Sequence, residues 1–278
     1  MNCKIQKSKL KGRIVCPANK SYTHRAIFLA ALSDGKSIVK KILRSNDTIA
    51  TINACRGFGI EVEEMENNVT IKNTIDSTVQ NSMINAENSG TTIRIAIAIA
   101  ALSGGNTRLT GDDSLRKRPM QPILDALETM GVETESEDGK PPINIKGKIQ
   151  GKEISIKGDI SSQFISALLI IAPRLPDGLT INIEGELVSK PYVDLTIAIM
   201  KKFGVEVKIE EEYKRYNVSH QIYKPTTFSI PSDFSNLALL LAANVLLGDG
   251  LNIEISLGDM PQGDEAIVDI LEKLGVNV

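Results

Sequence analysis

The sequence contains no tryptophan, two histidines and three cysteines, and aromatic residues make up 4% of its 278 positions. His24 and His220, together with Cys3, Cys16 and Cys55 scattered without metal-ligand spacing, argue against a zinc site and against a disulfide framework, so the thiols are expected to be reduced. The Tyr and Phe residues form no stacking run, and a net charge of −2 provides no basic field, which argues against nucleic acid as a partner. Long hydrophobic runs are missing too. The longest, Leu237 to Leu247 interrupted by Asn244, falls short of the roughly 18 to 20 residues a membrane span needs. Met1 to Lys7 lacks the apolar centre of a signal peptide, so a cytoplasmic protein with no membrane partner is expected, in which the sequons at Asn68 and Asn217 carry no meaning.

What the sequence does have is apolar content, at 42%, arranged in a repeat. The segments beginning at Gly59, Gly131, Gly204 and Gly275 each read Gly-Val/Ile followed by a strand-like pair, and they recur every 71 to 73 residues. Four apolar helices are expected to open at Lys20-Ser21, Gly90-Thr91, Ser161-Ser162 and Asp233-Phe234, each behind a residue able to cap free backbone N–H groups. A second helix in each unit is expected to open at Asp47, Pro119, Pro191 and near Pro261, where proline suits the first turn. Alternating stretches such as Asn68 to Lys72 and Ile143 to Lys146 read as strands. Each unit is therefore β-α-β-α-β-β or close to it, an α/β chain of four repeats, with helices inside, sheets facing solvent and helix N-termini converging at one end. A helical solenoid would carry no strands, and a doubly wound nucleotide-binding sheet would need a glycine fingerprint after its first strand.

The converging loops carry the chemistry. Lys20-Ser21 with Arg25 one turn on offers an ammonium, a hydroxyl and a guanidinium at a helix N-terminus, the combination that phosphate binding uses. Asn88-Ser89-Gly90-Thr91-Thr92-Ile93-Arg94 repeats the arrangement, with Arg94 expected where Arg25 stands in the first unit. Arg116-Lys117-Arg118-Pro119 places cations at the positive end of a helix dipole, where an anion should compensate. Ser161-Ser162-Gln163 and Ser189-Lys190-Pro191-Tyr192 supply hydroxyls and an amide suited to a polyhydroxylated phosphorylated ligand. Any one of these loops is also an ordinary helix cap, and their weight comes from recurring on one frame. His24 reads as structural, and the adjacent Asp112 and Asp113 as solvated loop carboxylates rather than an acid–base pair.

Taken in order, Lys20-Ser21-x-x-x-Arg25, Asn88-x-Gly90-Thr91-x-x-Arg94, Leu109-Thr110-Gly111 leading to Arg118-Pro119, Ser161-Ser162-Gln163-Phe164 and Leu187-Val188-Ser189-Lys190-Pro191-Tyr192 resemble the 3-phosphoshikimate 1-carboxyvinyltransferases, an enolpyruvyl transferase family. The resemblance runs from about Lys11 to Val278. It implies the inside-out barrel of that family with four of its six units present, and transfer of the enolpyruvyl group of phosphoenolpyruvate to the 5-hydroxyl of shikimate 3-phosphate, without metal or other cofactor. By motif match, Lys20, Ser21, Arg25, Ser161, Ser162, Gln163, Ser189 and Tyr192 would hold shikimate 3-phosphate, and Lys20, Asn88, Gly90, Arg118 and Gln163 would face phosphoenolpyruvate.

The resemblance further implies a whole three-unit domain over residues 17–227, with 1–16 and 228–278 forming part of a second, similar domain. The family's main acid–base groups would lie beyond Val278, so no catalytic residue is assigned, and a partner is expected in a further C-terminal segment or another copy of the chain. Pro17-Ala18-Asn19 stands where the family usually has Gly-Ser before the lysine, a departure touching backbone detail. Two rival readings remain. One is the sister transferase acting on a uridine-diphosphate amino sugar, which carries a reactive cysteine where this chain has Ser114-Leu115-Arg116. The other is a non-catalytic fragment that captures shikimate 3-phosphate.

Overall fold

The structure, a computed structural model, describes residues 9–73 and 81–276. Cys3, the N-terminal stretch before Lys9, and Asn277 and Val278 of the last expected strand lie outside the described residues. The first unit comprises α1 (Lys20–Leu32), β2 (Gly35–Lys40), α2 (Asn46–Gly57), β3 (Glu61–Met65) and β4 (Asn68–Asn73), preceded by β1 (Leu10–Val15). The second runs β5 (Asn81–Asn85), α3 (Gly90–Ser103), β6 (Asn106–Thr110), α4 (Gln121–Thr129), β7 (Glu133–Glu137) and β8 (Lys140–Lys146). The third runs β9 (Glu153–Lys157), α5 (Ser162–Ile171), β10 (Leu179–Glu184), α6 (Lys190–Lys202), β11 (Lys208–Glu210) and β12 (Arg215–Val218), and the fourth β13 (Thr227–Ser229), α7 (Phe234–Leu247), β14 (Gly248–Glu254) and α8 (Ala266–Lys273).

The first helix of each unit starts where its cap dictates. Asn19, Ser89, Ser161 and Asp233 each accept a hydrogen bond from a first-turn backbone N–H, which satisfies a donor the helix itself cannot. The second helices depart from expectation at two prolines. Arg118 is extended, as a residue before proline prefers, so a 3₁₀ turn over Leu115–Lys117 ends there and α4 begins at Gln121, with Pro122 rather than Pro119 in its first turn. Pro261 likewise precedes a 3₁₀ turn over Gly263–Glu265, and α8 begins at Ala266. α2 and α6 open at Asn46 and Lys190, each within one residue of the expected start.

Three four-stranded sheets share one pattern, a parallel entry strand beside a strand of an antiparallel set, in the orders β5-β6-β8-β7, β9-β10-β12-β11 and β13-β2-β4-β3. The first unit thus takes its entry strand from Thr227–Ser229, which pairs in parallel with Ile38, Val39 and Lys40. In exchange β1 runs parallel to β14, with Arg13 opposite Asn252 and Ile14 opposite Ile253. The two crossing segments run side by side: Asn19 N–H donates to Pro231 O at 2.8 Å and Asp233 N–H to Pro17 O at 2.9 Å. The sheets are separate and no closed barrel forms among the described residues; helix packing, not a continuous strand ring, holds them together.

That packing explains the sequence of α1, α3 and α5, which are apolar on nearly all sides. Residues Ile27 to Ala31, Ile95 to Ala98 and Ile165 to Ile171 are buried in one core shared by the three units. Each buried Leu or Ile contributes about 2 kcal/mol by leaving water. α7 is as apolar in sequence, yet only Phe234 and Leu237 are buried in a small separate cluster with Cys16, and Leu239 and Leu246 are exposed. Cys16 and Cys55 are free thiols. No helix of the described residues is long and apolar enough to cross a membrane.

Leu168→Ala is expected to destabilise the protein by about 3 kcal/mol through the cavity it leaves, and Leu239→Ala by under about 0.5 kcal/mol. Urea unfolding monitored by circular dichroism measures both, and equal losses would mean that the helices do not bury as described.

Candidate functional site

The first turns of α1, α3 and α5, with α2 and α6 beside them, come within hydrogen-bonding reach of one another. Arg25, on the second turn of α1, is 2% exposed. Its Nε donates to Thr196 Oγ1 on α6 at 2.7 Å, one terminal nitrogen to Ser166 Oγ on α5 at 3.3 Å and the other to Ser21 O at 3.2 Å. All three acceptors are neutral. Burial lowers the Arg25 pKa to about 10, still far above neutrality, so the guanidinium remains a buried cation.

Arg94, on the first turns of α3, lies one position nearer its helix start than Arg25 does, so the two are not equivalent as the repeat implies. It donates to Gln163 Oε1 on α5 at 2.6 Å and to Gly90 O at 3.4 Å, rests over the Phe164 ring at 5.0 Å, and keeps a buried Nε without a partner. Arg118 donates to Asn88 Oδ1, and Asn88 in turn donates to Asp112 Oδ2 at 2.9 Å. The two guanidinium groups meet above Gly90, where an added Cβ would lie 2.9 Å from a terminal nitrogen of each. Burial, and then the Arg118 charge, depress the Arg94 pKa. Among the described residues Arg25, Arg94 and Arg118 form no ion pair with a carboxylate, although the exposed surface carries many such pairs.

Asn88, Gly90, Arg118 and Gln163 are thus brought together, with Arg94 as the added member. Gln163 and Ser166, one turn apart on α5, link this cluster to Arg25, and between them α5 opens with Ser161 capping the Gln163 N–H at 3.3 Å and Ser162 buried. Ser189 is left-handed at φ 56° and offers no side-chain cap to α6, and its loop docks beside the α5 entrance through Val188 N–H to Gly158 O at 3.2 Å. Lys190 stacks over Tyr213 at 3.5 Å. Lys20 pairs with Asp47 Oδ2 at 3.1 Å at the start of α2, and no hydrogen bond joins it to the Arg94–Arg118 cluster among the described residues. Lys20, Ser21 and Tyr192 instead line a cavity of about 490 Å³ facing Asp233, Gln262 and Asp264 of the fourth unit.

Several contributors escape a reading of the sequence. Ser166 and Thr196, the partners of Arg25, are single hydroxyls inside apolar helices, marked only by their i+4 spacing from Ser162 and Tyr192. Asp112, expected to be solvated, instead accepts from the Ser114 and Leu115 N–H groups and from Asn88, and so orients the amide that faces Arg118. Asn19, at the departure from the family pattern, caps α1 and also donates to Gln262 Oε1 at 2.7 Å and Asp233 Oδ1 at 3.4 Å.

Helix N-termini and guanidinium groups without carboxylate partners, two of them meeting at Gly90, are thus gathered in an α/β protein built from repeated units. Residues 5–278 match the family model for EPSP synthase (3-phosphoshikimate 1-carboxyvinyltransferase). The chain is 56% identical over 278 residues to the 3-phosphoshikimate 1-carboxyvinyltransferase of Nitrosopumilus maritimus, covering 100% of this chain and 66% of that protein. It is 40% identical over 289 residues to that of Methanosphaera stadtmanae, covering 100% and 68%. An EPSP synthase structure from Acinetobacter baumannii superimposes with a TM-score of 0.79 at 25% identity, over 97% of this chain and 60% of that one. The enolpyruvyl transferase NikO from Streptomyces tendae shares the fold at a TM-score of 0.70 and 16% identity, over 98% and 64%. The chain belongs to the EPSP synthase family, and it spans about two thirds of the length of the curated relatives it matches.

His24 is fully enclosed, and burial lowers its pKa from 6.5 to about 3. Between those values the unfolded chain binds a proton that the folded chain refuses, so stability falls as pH drops from about 6.5 towards 3, by up to about 1.4 kcal/mol per pH unit. Between pH 7 and pH 5 the wild type should lose about 2 kcal/mol more in urea unfolding than His24→Asn does. Equal losses would mean that His24 is not held neutral.

Proposed function

We propose that this chain builds one wall of an enolpyruvyl transferase site, in which shikimate 3-phosphate and phosphoenolpyruvate bind side by side at the helix entrances. The observation that supports this reading most is the set of three arginines, Arg25, Arg94 and Arg118, gathered at helix N-termini with neutral partners only. Burying a cation without an anion is costly, and an anionic ligand relieves it. Arg25, Ser21, Ser161, Ser162, Ser189 and Tyr192, with Gln163 between the two ligands and Lys20 at the rim, are proposed to hold the phosphorylated ring. Asn88, Gly90 and Arg118, with Lys20 and Gln163, are proposed to face phosphoenolpyruvate, Gly90 leaving room for the anion between two guanidinium groups.

In the reaction so proposed, the 5-hydroxyl gives up its proton as its oxygen adds to C2 of phosphoenolpyruvate, while C3 takes up a proton. The adduct then loses that C3 position's proton and inorganic phosphate, leaving an enol ether. The cations of this wall hold both phosphates and stabilise the phosphorylated adduct, and two oriented substrates replace a bimolecular encounter. The proton transfers at the hydroxyl oxygen and at C3 are assigned to no residue of this chain. Ser114 at the position where the sister transferase carries its cysteine favours shikimate 3-phosphate over the amino-sugar substrate.

We also propose the division into a three-unit domain over residues 17–227 and a second domain drawing on 1–16 and 228–278, with a further segment or another copy of the chain completing the second. The hydrogen bonding of β13 to β2 favours a boundary just past Ser229. A cytoplasmic location is part of the same reading.

Calorimetry should detect one shikimate 3-phosphate per chain, weakened about a hundredfold or more in Arg25→Ala and about tenfold in Tyr192→Phe, whose exposed ring poses no risk to folding. Absence of binding, or affinity unmoved in both variants, rejects the assignment. Gly90→Ala should cost about tenfold in phosphoenolpyruvate affinity, because its methyl group must displace Arg94 or Arg118. Unchanged affinity would remove Gly90 from the site.

A further inference from the structure

A run of buried hydrogen bonds joins three helix entrances. His24 Nδ1 on α1 lies 2.6 Å from Thr51 Oγ1 on α2, Thr51 Oγ1 lies 2.7 Å from Thr92 Oγ1 on α3, and the Thr92 hydroxyl donates to Ser89 Oγ at 2.7 Å. All four residues are at most 1% exposed. Ser89 is the N-cap of α3, its Oγ accepting from Thr92 N–H at 3.2 Å, and Gly90 follows it directly. Thr92 Oγ1 also reaches Asp47 O at 3.3 Å, on the residue whose carboxylate holds Lys20.

The direction of this run is fixed at its ends. Ser89 Oγ already accepts at the cap and accepts again from Thr92, so the Thr92 hydroxyl hydrogen is used there and its oxygen must accept from Thr51. Thr51 then turns its hydrogen to Thr92 at 2.7 Å, with Asp47 O as a longer second acceptor at 3.4 Å, so towards His24 its oxygen accepts, and the donor there is an N–H at Nδ1. His24 Nε2 is buried without a partner, and the Nδ1–H tautomer leaves it a bare lone pair where the other tautomer would strand an N–H. The charged groups that act on the ring are Asp47, Arg25 and Lys20; burial, helped by the two cations, holds it neutral against the Asp47 carboxylate.

We propose that His24 is a positioning residue for the phosphoenolpyruvate end of the site: as the Nδ1–H tautomer it sets, through Thr51 and Thr92, where Ser89 and therefore Gly90 stand relative to the entrance of α1. This rests on the ligand assignment proposed above. Arg25 takes no part in the run, since its partners Ser166 and Thr196 lie on α5 and α6. The expected effect is therefore selective: loss of the run loosens the Gly90 end and spares the Arg25 end.

The test uses the full chain. With two histidines in the sequence, ¹⁵N imidazole spectra are readily assigned, and His24 should show a protonated Nδ1 and a bare Nε2 from pH 5 to pH 8. Phosphoenolpyruvate affinity, read from the Gly90 amide with shikimate 3-phosphate present, should fall about tenfold in His24→Leu and in Thr51→Val, and no further in the double variant. Shikimate 3-phosphate affinity should change by less than about threefold in each. His24→Asn, whose amide N–H replaces Nδ1–H, should restore phosphoenolpyruvate affinity. An Nε2–H tautomer, additive losses, or variants that lower the urea midpoint while leaving phosphoenolpyruvate affinity intact overturn the proposal alone. A wild-type Gly90 amide that ignores phosphoenolpyruvate brings down the ligand assignment with it.

Discussion

Helices apolar on nearly every flank leave their unpaired backbone groups to be satisfied at their ends, and this constraint organises the molecule. α1, α3 and α5 share one core, so the side chains able to meet their first-turn N–H groups must come from the entrances themselves. Stacking three units on that core brings the entrances together. Polar atoms that would be incompatible with the flanks are thereby concentrated in one place, and the N-terminal partial charges of several helices add there. Cations at such a place are unfavourable unless something negative arrives, which is the physical basis of the ligand site proposed above. Their mutual repulsion above Gly90 is tolerated because a neutral acceptor, Gln163 for Arg94 and Asn88 for Arg118, holds each guanidinium in place.

Much of this was legible from the chain alone because the signals are local. A cap followed by an apolar run places the starts of α1, α3, α5 and α7 to within one residue, and a period near seventy residues announces the units. Local signals also misled. Pro119 and Pro261 looked like first-turn prolines, yet each closes or precedes a 3₁₀ turn, a distinction that depends on neighbouring backbone rather than on proline itself. The hydroxyls that serve Arg25 and the threonines that serve His24 were invisible for a different reason. A threonine within an apolar helix gives no sign of which neighbouring helix it will face, and Thr51 and Thr92 acquire meaning only when α1, α2 and α3 are packed. The exchange of β1 and β13 between distant units was equally hidden, since short alternating strands carry no address.

Orienting a carbonyl or hydroxyl partner before a ligand arrives is what separates this site from a patch of surface cations. Gln163, Asn88 and Asp112 form a scaffold behind the arginines, and each is itself held by a backbone or side-chain bond. Lys20 differs, resting partly exposed against Asp47 and free to exchange that carboxylate for another anion at little cost.

The borrowed strand of the first unit has a consequence for synthesis. The ribosome delivers residues 20–73 first, but the sheet over α1 remains one strand short until Thr227–Ser229 has left the exit tunnel. β2 therefore presents an open edge throughout translation of the second and third units, whose sheets each close from strands of their own. Vectorial folding is thus inverted here: the segment made first is finished last, and the nascent chain must be kept from pairing that edge with a neighbour on the same polysome.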